Sequence, residues 1–163
     1  LNEWSITDLV AAGAPIDSFG VGTDLTTVRD APALGVVYKL VELEEDGVVD
    51  FKMKLSDGKA TWPGRKQVWR SLGEDGTATG DVVTLHDEPP PSASCVPLLE
   101  PVIRGGERIA PPPSIEDLRG RTRDAIDRLP AYLKTLAAPE KPYPVRFSEA
   151  IQRIAAGLRA EMI

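Results

Sequence analysis

Asp17-Ser18-Phe19-Gly20-Val21-Gly22-Thr23-Asp24, running on to Arg29-Asp30, decides how the rest of the chain is read. Ile16 to Val21 has the composition of a short buried strand. Gly20 and Gly22 let a ligand approach the backbone with no Cβ in the way. Thr23 and Asp24 are N-cap residue types, so the chain is expected to turn into a short helix through Leu25 and Val28. A strand that ends in glycines and leads into a helix N-terminus aims several backbone N–H groups at one point, a geometry that suits a phosphate. Spacing alone is weak, because a lone G-x-G-T more often marks a tight turn. It is neither a P-loop, which needs G-x-x-x-x-G-K-[ST], nor the dinucleotide fingerprint, which needs a third glycine.

Working outward, Asn2 caps an amphipathic helix whose buried side would be Trp4, Leu9, Val10 and Ala12; Gly13 suits its C′ position and Pro15 stops it. Helix, loop, buried strand and a new helix start make the rhythm of an α/β layer or barrel. From Val36 the period changes to two. Val36–Leu43 reads as one strand, Asp46-Gly47 as a turn, and Val49, Phe51, Met53 and Leu55 alternate with Asp50, Lys52 and Lys54. Another turn falls at Ser56-Asp57-Gly58. Gln67–Leu72 and Val82–Leu85 flank Asp75-Gly76, and after Pro89-Pro90-Pro91 a small hairpin turns at Gly105-Gly106. Beyond Pro111-Pro112-Pro113, Ser114 with Asp117 forms a capping-box pattern before Ile115, Leu118, Thr122, Ile126, Leu129, Leu133 and Leu136, spaced as one helix face that Pro130 interrupts. Ser148 caps a last helix with Ile151, Ile154, Leu158 and Met162 on one side. The fold class expected is α/β plus a β-rich unit: residues 1–35 as the end of a barrel, 36–110 as an antiparallel β-rich domain, and 111–163 as a helical segment.

The chain has 163 residues, 42% hydrophobic and 27% charged, as a water-soluble globular domain does. No apolar run approaches a membrane span and no leader pattern begins it, so the expected site is the cytoplasm, with no membrane partner. A net charge of −6 argues against general nucleic-acid affinity. The single cysteine, Cys95, excludes an intrachain disulfide and a multi-cysteine zinc site. A start inside a helix without an initiator methionine, and 15 clustered prolines, read as a piece of a longer protein; a trimmed small domain is the other reading.

Against this acidic background, Lys52 to Arg70 holds six basic residues and one acid. Lys52 and Lys54 are better explained as the wet face of a strand. Lys59, Arg65 and Lys66 lie in a Gly/Pro loop, where side chains are more often placed for contact, and a polyphosphate would use such cations.

The wording Phe19-Gly20-Val21-Gly22-Thr23, then Arg29-Asp30-Ala31-Pro32-Ala33-Leu34-Gly35 and Tyr38-Lys39-Leu40-Val41, resembles the C-terminal part of the nicotinate phosphoribosyltransferase family. Lys54 to Lys59, Pro63 to Gln67 and Pro101 to Gly106 resemble the same family in the same order. The resemblance implies that the first segment closes an irregular α/β barrel with ligands at the strand C-termini. It implies a homodimer joining nicotinate to phosphoribosyl diphosphate with coupled ATP hydrolysis. By that resemblance Gly20, Gly22 and Thr23 hold the 5′-phosphate and Arg29 contacts phosphate oxygens. Lys39, Lys59, Arg65 and Lys66 lie towards the diphosphate. For Arg29 the plain alternative is a salt bridge to Asp24 or Asp30. Magnesium would be held by phosphate oxygens and water. The phosphorylated histidine of the family lies outside this stretch, and His86 reads as an ordinary surface residue. No catalytic side chain and no protein metal ligand is therefore expected here. Two other readings remain: a sister enzyme using nicotinamide or quinolinate, and a non-catalytic β-rich interaction domain.

Overall fold

The computed structural model describes residues 1–56 and 60–161. Contacts divide the chain into two compact units: Leu1–Tyr38 with Thr135–Ala138, and Lys39–Lys134 with Pro139–Ile163.

In the first unit, α1 spans Glu3–Ala11 and α2 spans Thr23–Thr27. Asn2 caps α1 reciprocally: its Oδ1 accepts from the Ser5 N–H at 2.9 Å, and the Asn2 N–H donates to Ser5 Oγ at 3.0 Å. Gly13 closes it at φ +69°, as a C′ glycine does. None of the α1 residues is buried, and Trp4 and Val10 are exposed, so the expected apolar face is uncovered within this unit. Residues 16–21 form no strand. A strand exists by its ladder, and among the described residues no segment pairs with them.

The second unit is built on sheets. β1 (Glu42–Glu45) and β2 (Val48–Phe51) form an antiparallel hairpin through Asp46 at φ +51° and Gly47 at φ +76°, the left-handed pair that a two-residue turn requires. The first strand begins at Glu42 rather than Val36, because 36–40 find no ladder partner among the described residues. The alternation after Val49 also outlasts the ladder: Met53 is buried past the end of β2, while Val49 and Leu55 stay exposed. The central sheet combines β3 (Lys66–Leu72), β4 (Ala78–Leu85), β5 (Cys95–Pro97) and β8 (Val145–Phe147) in the order β5-β3-β4-β8. Pairing is antiparallel throughout residues 36–110; β8, a strand inside the segment expected to be helical, joins the sheet parallel to β4. β8 is three residues long, follows directly on Pro144 and carries no turn signal, which is why periodicity does not mark it. β6 (Ile103–Arg104) and β7 (Glu107–Arg108) form the Gly105-Gly106 hairpin, both glycines at positive φ.

Helix α3 (Ile115–Asp127) starts at the Ser114–Asp117 capping box and stops before Pro130, where one 3-10 turn, Ala131–Leu133, follows. Its apolar stripe stays exposed at Ile115, Leu118 and Ile126. Helix α4 (Glu149–Glu161) instead packs Ile151 and Ala155 fully into the core beside β4. Ser148 caps it, accepting from the Ile151 N–H at 3.3 Å and donating to Glu88 Oε1 at 2.6 Å; Met162 lies outside the described residues. No helix among the described residues is long and apolar enough to cross a membrane.

Candidate functional site

In the first unit, the glycine segment leads into α2, and the Gly22 carbonyl accepts from the Thr26 N–H at 3.0 Å. Gly22 has φ −107°, so its service is open space and not a left-handed backbone. A Cβ built on Gly20 or Gly22 would meet nothing within 4 Å. The left-handed residue is Val28, at φ +46°, which ends α2 and turns the chain into Arg29. Thr23 is the first residue of α2, and its carbonyl accepts from the Thr27 hydroxyl at 2.8 Å. The Arg29 guanidinium lies 3.8 Å from Asp24 Oδ1 and is 78% exposed. Asn2, Glu3, Trp4, Asp24, Arg29 and Asp30 line a hollow of about 320 Å³. Its three carboxylates outnumber the one cation, so an anion arriving at Arg29 meets local repulsion from Asp24, Glu3 and Asp30.

In the second unit, Lys39 is exposed. Lys59 lies outside the described residues. Arg65 ends a loop held at several points, and Lys66, expected in that loop, is instead the first residue of β3, because it pairs with Leu85 in the ladder. Trp62 stacks on Phe147, ring centroids 4.1 Å apart, with the Arg159 guanidinium 5.7 Å from the Trp62 centroid. Pro63 is fully buried. The Gly64 N–H donates to the Val41 carbonyl at 2.9 Å, and the Arg65 N–H donates to Glu42 Oε2 at 2.8 Å. The His86 N–H donates to the Arg65 carbonyl at 2.8 Å. The Arg65 guanidinium stays in water, 3.7 Å from Asp87. Lys66 is half-buried and donates from Nζ to the Gly64 carbonyl. Burial pulls its pKa below the usual lysine value, and the Glu42 carboxylate pushes back.

Beneath this loop, Arg70 grips Asp81 with Nε and Nη2, each bond 2.9 Å, and the Tyr143 hydroxyl donates to Asp81 Oδ1 at 3.1 Å. The Asp81 bonds raise the Arg70 pKa, and burial raises that of Tyr143. Sequence reading did not single out this cluster, although Arg70 and Asp81 stand opposite each other once the hairpin is registered on Asp75-Gly76. It also missed Glu42, 23 residues from its partner and without a local signal. His86 is an exposed side chain. Cys95 Sγ lies 3.5 Å from Ser71 Oγ and 3.2 Å from Ser92 Oγ. Among the described residues, no group of three or more His, Cys, Asp or Glu side chains could hold a metal ion.

Residues 91–155 match the family model described as the nicotinate phosphoribosyltransferase C-terminal domain. The chain is 42% identical over 160 residues to nicotinate phosphoribosyltransferase pncB2 of Mycobacterium tuberculosis, covering 98% of this chain and 33% of that protein. It is 35% identical over 172 residues to the nicotinate phosphoribosyltransferase of Bacillus subtilis, covering 91% of this chain and 35% of the relative. The fold is similar to the crystal structure of human nicotinic acid phosphoribosyltransferase, with a TM-score of 0.63 and 28% identity over 77% of this chain and 27% of that one. The chain thus spans about a third of the length of the curated relatives it matches. With the family's C-terminal domain inside it and likeness running along nearly its whole length, the chain belongs to the nicotinate phosphoribosyltransferase family, as its C-terminal portion.

Proposed function

We propose that this chain is part of an enzyme that forms nicotinate mononucleotide and diphosphate from nicotinate and phosphoribosyl diphosphate, with coupled ATP hydrolysis, as a cytoplasmic homodimer. The observation that carries the reading is the 42% identity over 98% of the chain to a protein of that name. On this reading residues 1–35 close an α/β barrel, followed by the β-rich unit and the helical segment. The wide exposure of Leu34, Val36, Val37 and Tyr38 supports a barrel partner that covers them.

In the reaction, the pyridine nitrogen bonds to ribose C1 while the bond from C1 to the diphosphate oxygen breaks, and the electron pair leaves with diphosphate. The protein's work is to hold the sugar phosphate in line and to receive negative charge on the departing group. Gly20, Gly22 and Thr23 would seat the 5′-phosphate where no Cβ intrudes, and Arg29 would exchange Asp24 for a phosphate oxygen. Lys39, Lys59, Arg65 and Lys66 would face the diphosphate, Arg65 with its exposed fork and Lys66 as a point charge. Magnesium would be carried by the substrate's phosphate oxygens and water.

The test uses the complete protein with phosphoribosyl diphosphate and each of nicotinate, nicotinamide and quinolinate, following mononucleotide and diphosphate together. Turnover with nicotinate is expected, and preference for either other base would move the assignment to a sister enzyme. Arg65→Ala with Lys66→Ala should raise KM for phosphoribosyl diphosphate about tenfold or more and leave that for nicotinate nearly unchanged. Unchanged kinetics would return the loop to plain solvated surface.

A further inference from the structure

We infer that Glu42 is the positioning residue of the Arg65–Lys66 loop, its carboxylate fixing the backbone from which both cations reach the diphosphate. The inference rests on the role proposed above for that loop. Glu42 opens β1 and is half-buried. It spends its charge on a backbone N–H: Oε2 accepts from Arg65 N at 2.8 Å, while the Arg65 guanidinium pairs with Asp87 instead. The neighbouring Val41 carbonyl takes the Gly64 N–H at 2.9 Å, and the far side of the loop is held by the His86 N–H on the Arg65 carbonyl. Both backbone polar groups of Arg65 are therefore satisfied by opposite walls, one from the β1 end and one from the end of β4. A loop tied in this way holds its cations in place before a ligand arrives, which removes an ordering cost at binding.

A carboxylate beside an anion site weakens the anion by repulsion, so Glu42 must return something for its place. Its first return is the charge-assisted bond to Arg65 N. Its second concerns Lys66, whose burial favours the neutral amine; Glu42 is the carboxylate that opposes this. The other charged groups around the loop include Arg65 itself, Asp87, Arg159 over the Trp62 ring, and Glu88, which accepts from the Leu85 N–H opposite Lys66; His86 contributes through its backbone.

Calorimetric titration of the complete protein with phosphoribosyl diphosphate, from about pH 7 to about pH 9, separates the possibilities for Glu42→Ala, Glu42→Gln and the Arg65→Ala, Lys66→Ala double variant. Glu42→Ala loses the bond and should bind about tenfold more weakly. Glu42→Gln keeps an amide oxygen for the Arg65 N–H, so it should restore most of the affinity near neutrality. It no longer supports the Lys66 charge, so its alkaline loss of binding should begin at lower pH than in the parent. Wild-type affinity in Glu42→Ala, or a Glu42→Gln protein with the parent's alkaline limb, overturns the inference. A double variant that binds normally instead overturns the reading of the loop, and the positioning role falls with it. If Glu42→Ala does not fold, the alkaline limb of Glu42→Gln alone decides.

Discussion

Gly64→Ala is expected to be among the most damaging single-methyl additions in the second unit, and the structure says how much and why. Gly64 is buried at φ +79°, where an L side chain costs about 1–2 kcal/mol. The added Cβ would lie 2.6 Å from Leu85 Cδ2 and 3.2 Å from Phe51 Cε1. Leu85 can swing its end away, but Phe51 closes the other side, so overpacking adds about 1–3 kcal/mol. The total is roughly 2–5 kcal/mol. Gly76 is the matched control: φ +78° in the same unit, with nothing within 4 Å of its Cβ. Gly76→Ala should cost only the backbone share, about 1–2 kcal/mol.

Urea denaturation followed by tryptophan fluorescence reports on this unit, because Trp62 stacks on Phe147 and the Trp69 Nε1 donates to Thr84 Oγ1. In a Leu85→Ala background the closest clash is gone, so Gly64→Ala should cost less than in the parent, while the 3.2 Å approach to Phe51 keeps it above Gly76→Ala. Equal costs for Gly64→Ala and Gly76→Ala in the parent, or a Gly64→Ala cost undiminished by Leu85→Ala, would refute the packing half of the reasoning.

The Arg70–Asp81 pair should respond asymmetrically. Arg70→Ala strands a carboxylate whose side chain is 11% exposed, with Tyr143 as its remaining donor, whereas Asp81→Ala leaves a guanidinium 25% exposed that reaches water. Arg70→Ala should therefore cost more, about 3 kcal/mol against about 2, and Tyr143→Phe about 1; thermal unfolding that reverses the order would show that the network is held otherwise. Helix α3 should lose content in acid. The Ser114 hydroxyl and N–H bonds hold the Asp117 pKa below the usual aspartate value, so the cap is intact above that value and lost as pH falls through the lowered one. Circular dichroism should show this acid limb in the parent and not in Asp117→Ala; the same limb in both would place the titration elsewhere.

Local signals survived into the structure and long-range ones did not. The Asp75-Gly76 and Gly105-Gly106 turns, the Ser114 capping box and the Pro130 stop each depend on a few adjacent residues, and each stands where the sequence puts it. Residues 16–21 have strand composition but need a neighbour, and none of the described residues supplies one. The same holds for α1, whose apolar side is a correct helical pattern with nothing in its own unit to cover it. At the site, the residue types in the basic loop were legible because charge density is a local property. Glu42 was not, since one glutamate among the acids of 42–50 looks like a solvated hairpin until the fold brings it to Arg65.

The loop from Trp62 to Lys66 also ties in β8, which periodicity does not mark, and α4, which it does. Phe147 ends β8 and carries the ring on which Trp62 stacks; Arg159, three turns along α4, covers the same indole. Ile151 and Ala155 fix that helix beside β4, and Ser148 ties its start to Glu88, which in turn accepts from the Leu85 N–H at 2.7 Å. Leu85 is the residue whose side chain faces Gly64 and whose backbone stands opposite Lys66. A short parallel strand and a C-terminal helix therefore reach the basic loop by two independent routes, one through an aromatic stack and one through a strand end. Weakening either should loosen the loop without touching a charge. That separates rigidity from electrostatics: Phe147→Leu keeps every cation near Lys66, so any loss of phosphoribosyl diphosphate affinity it causes measures how much of the site's strength lies in being held still.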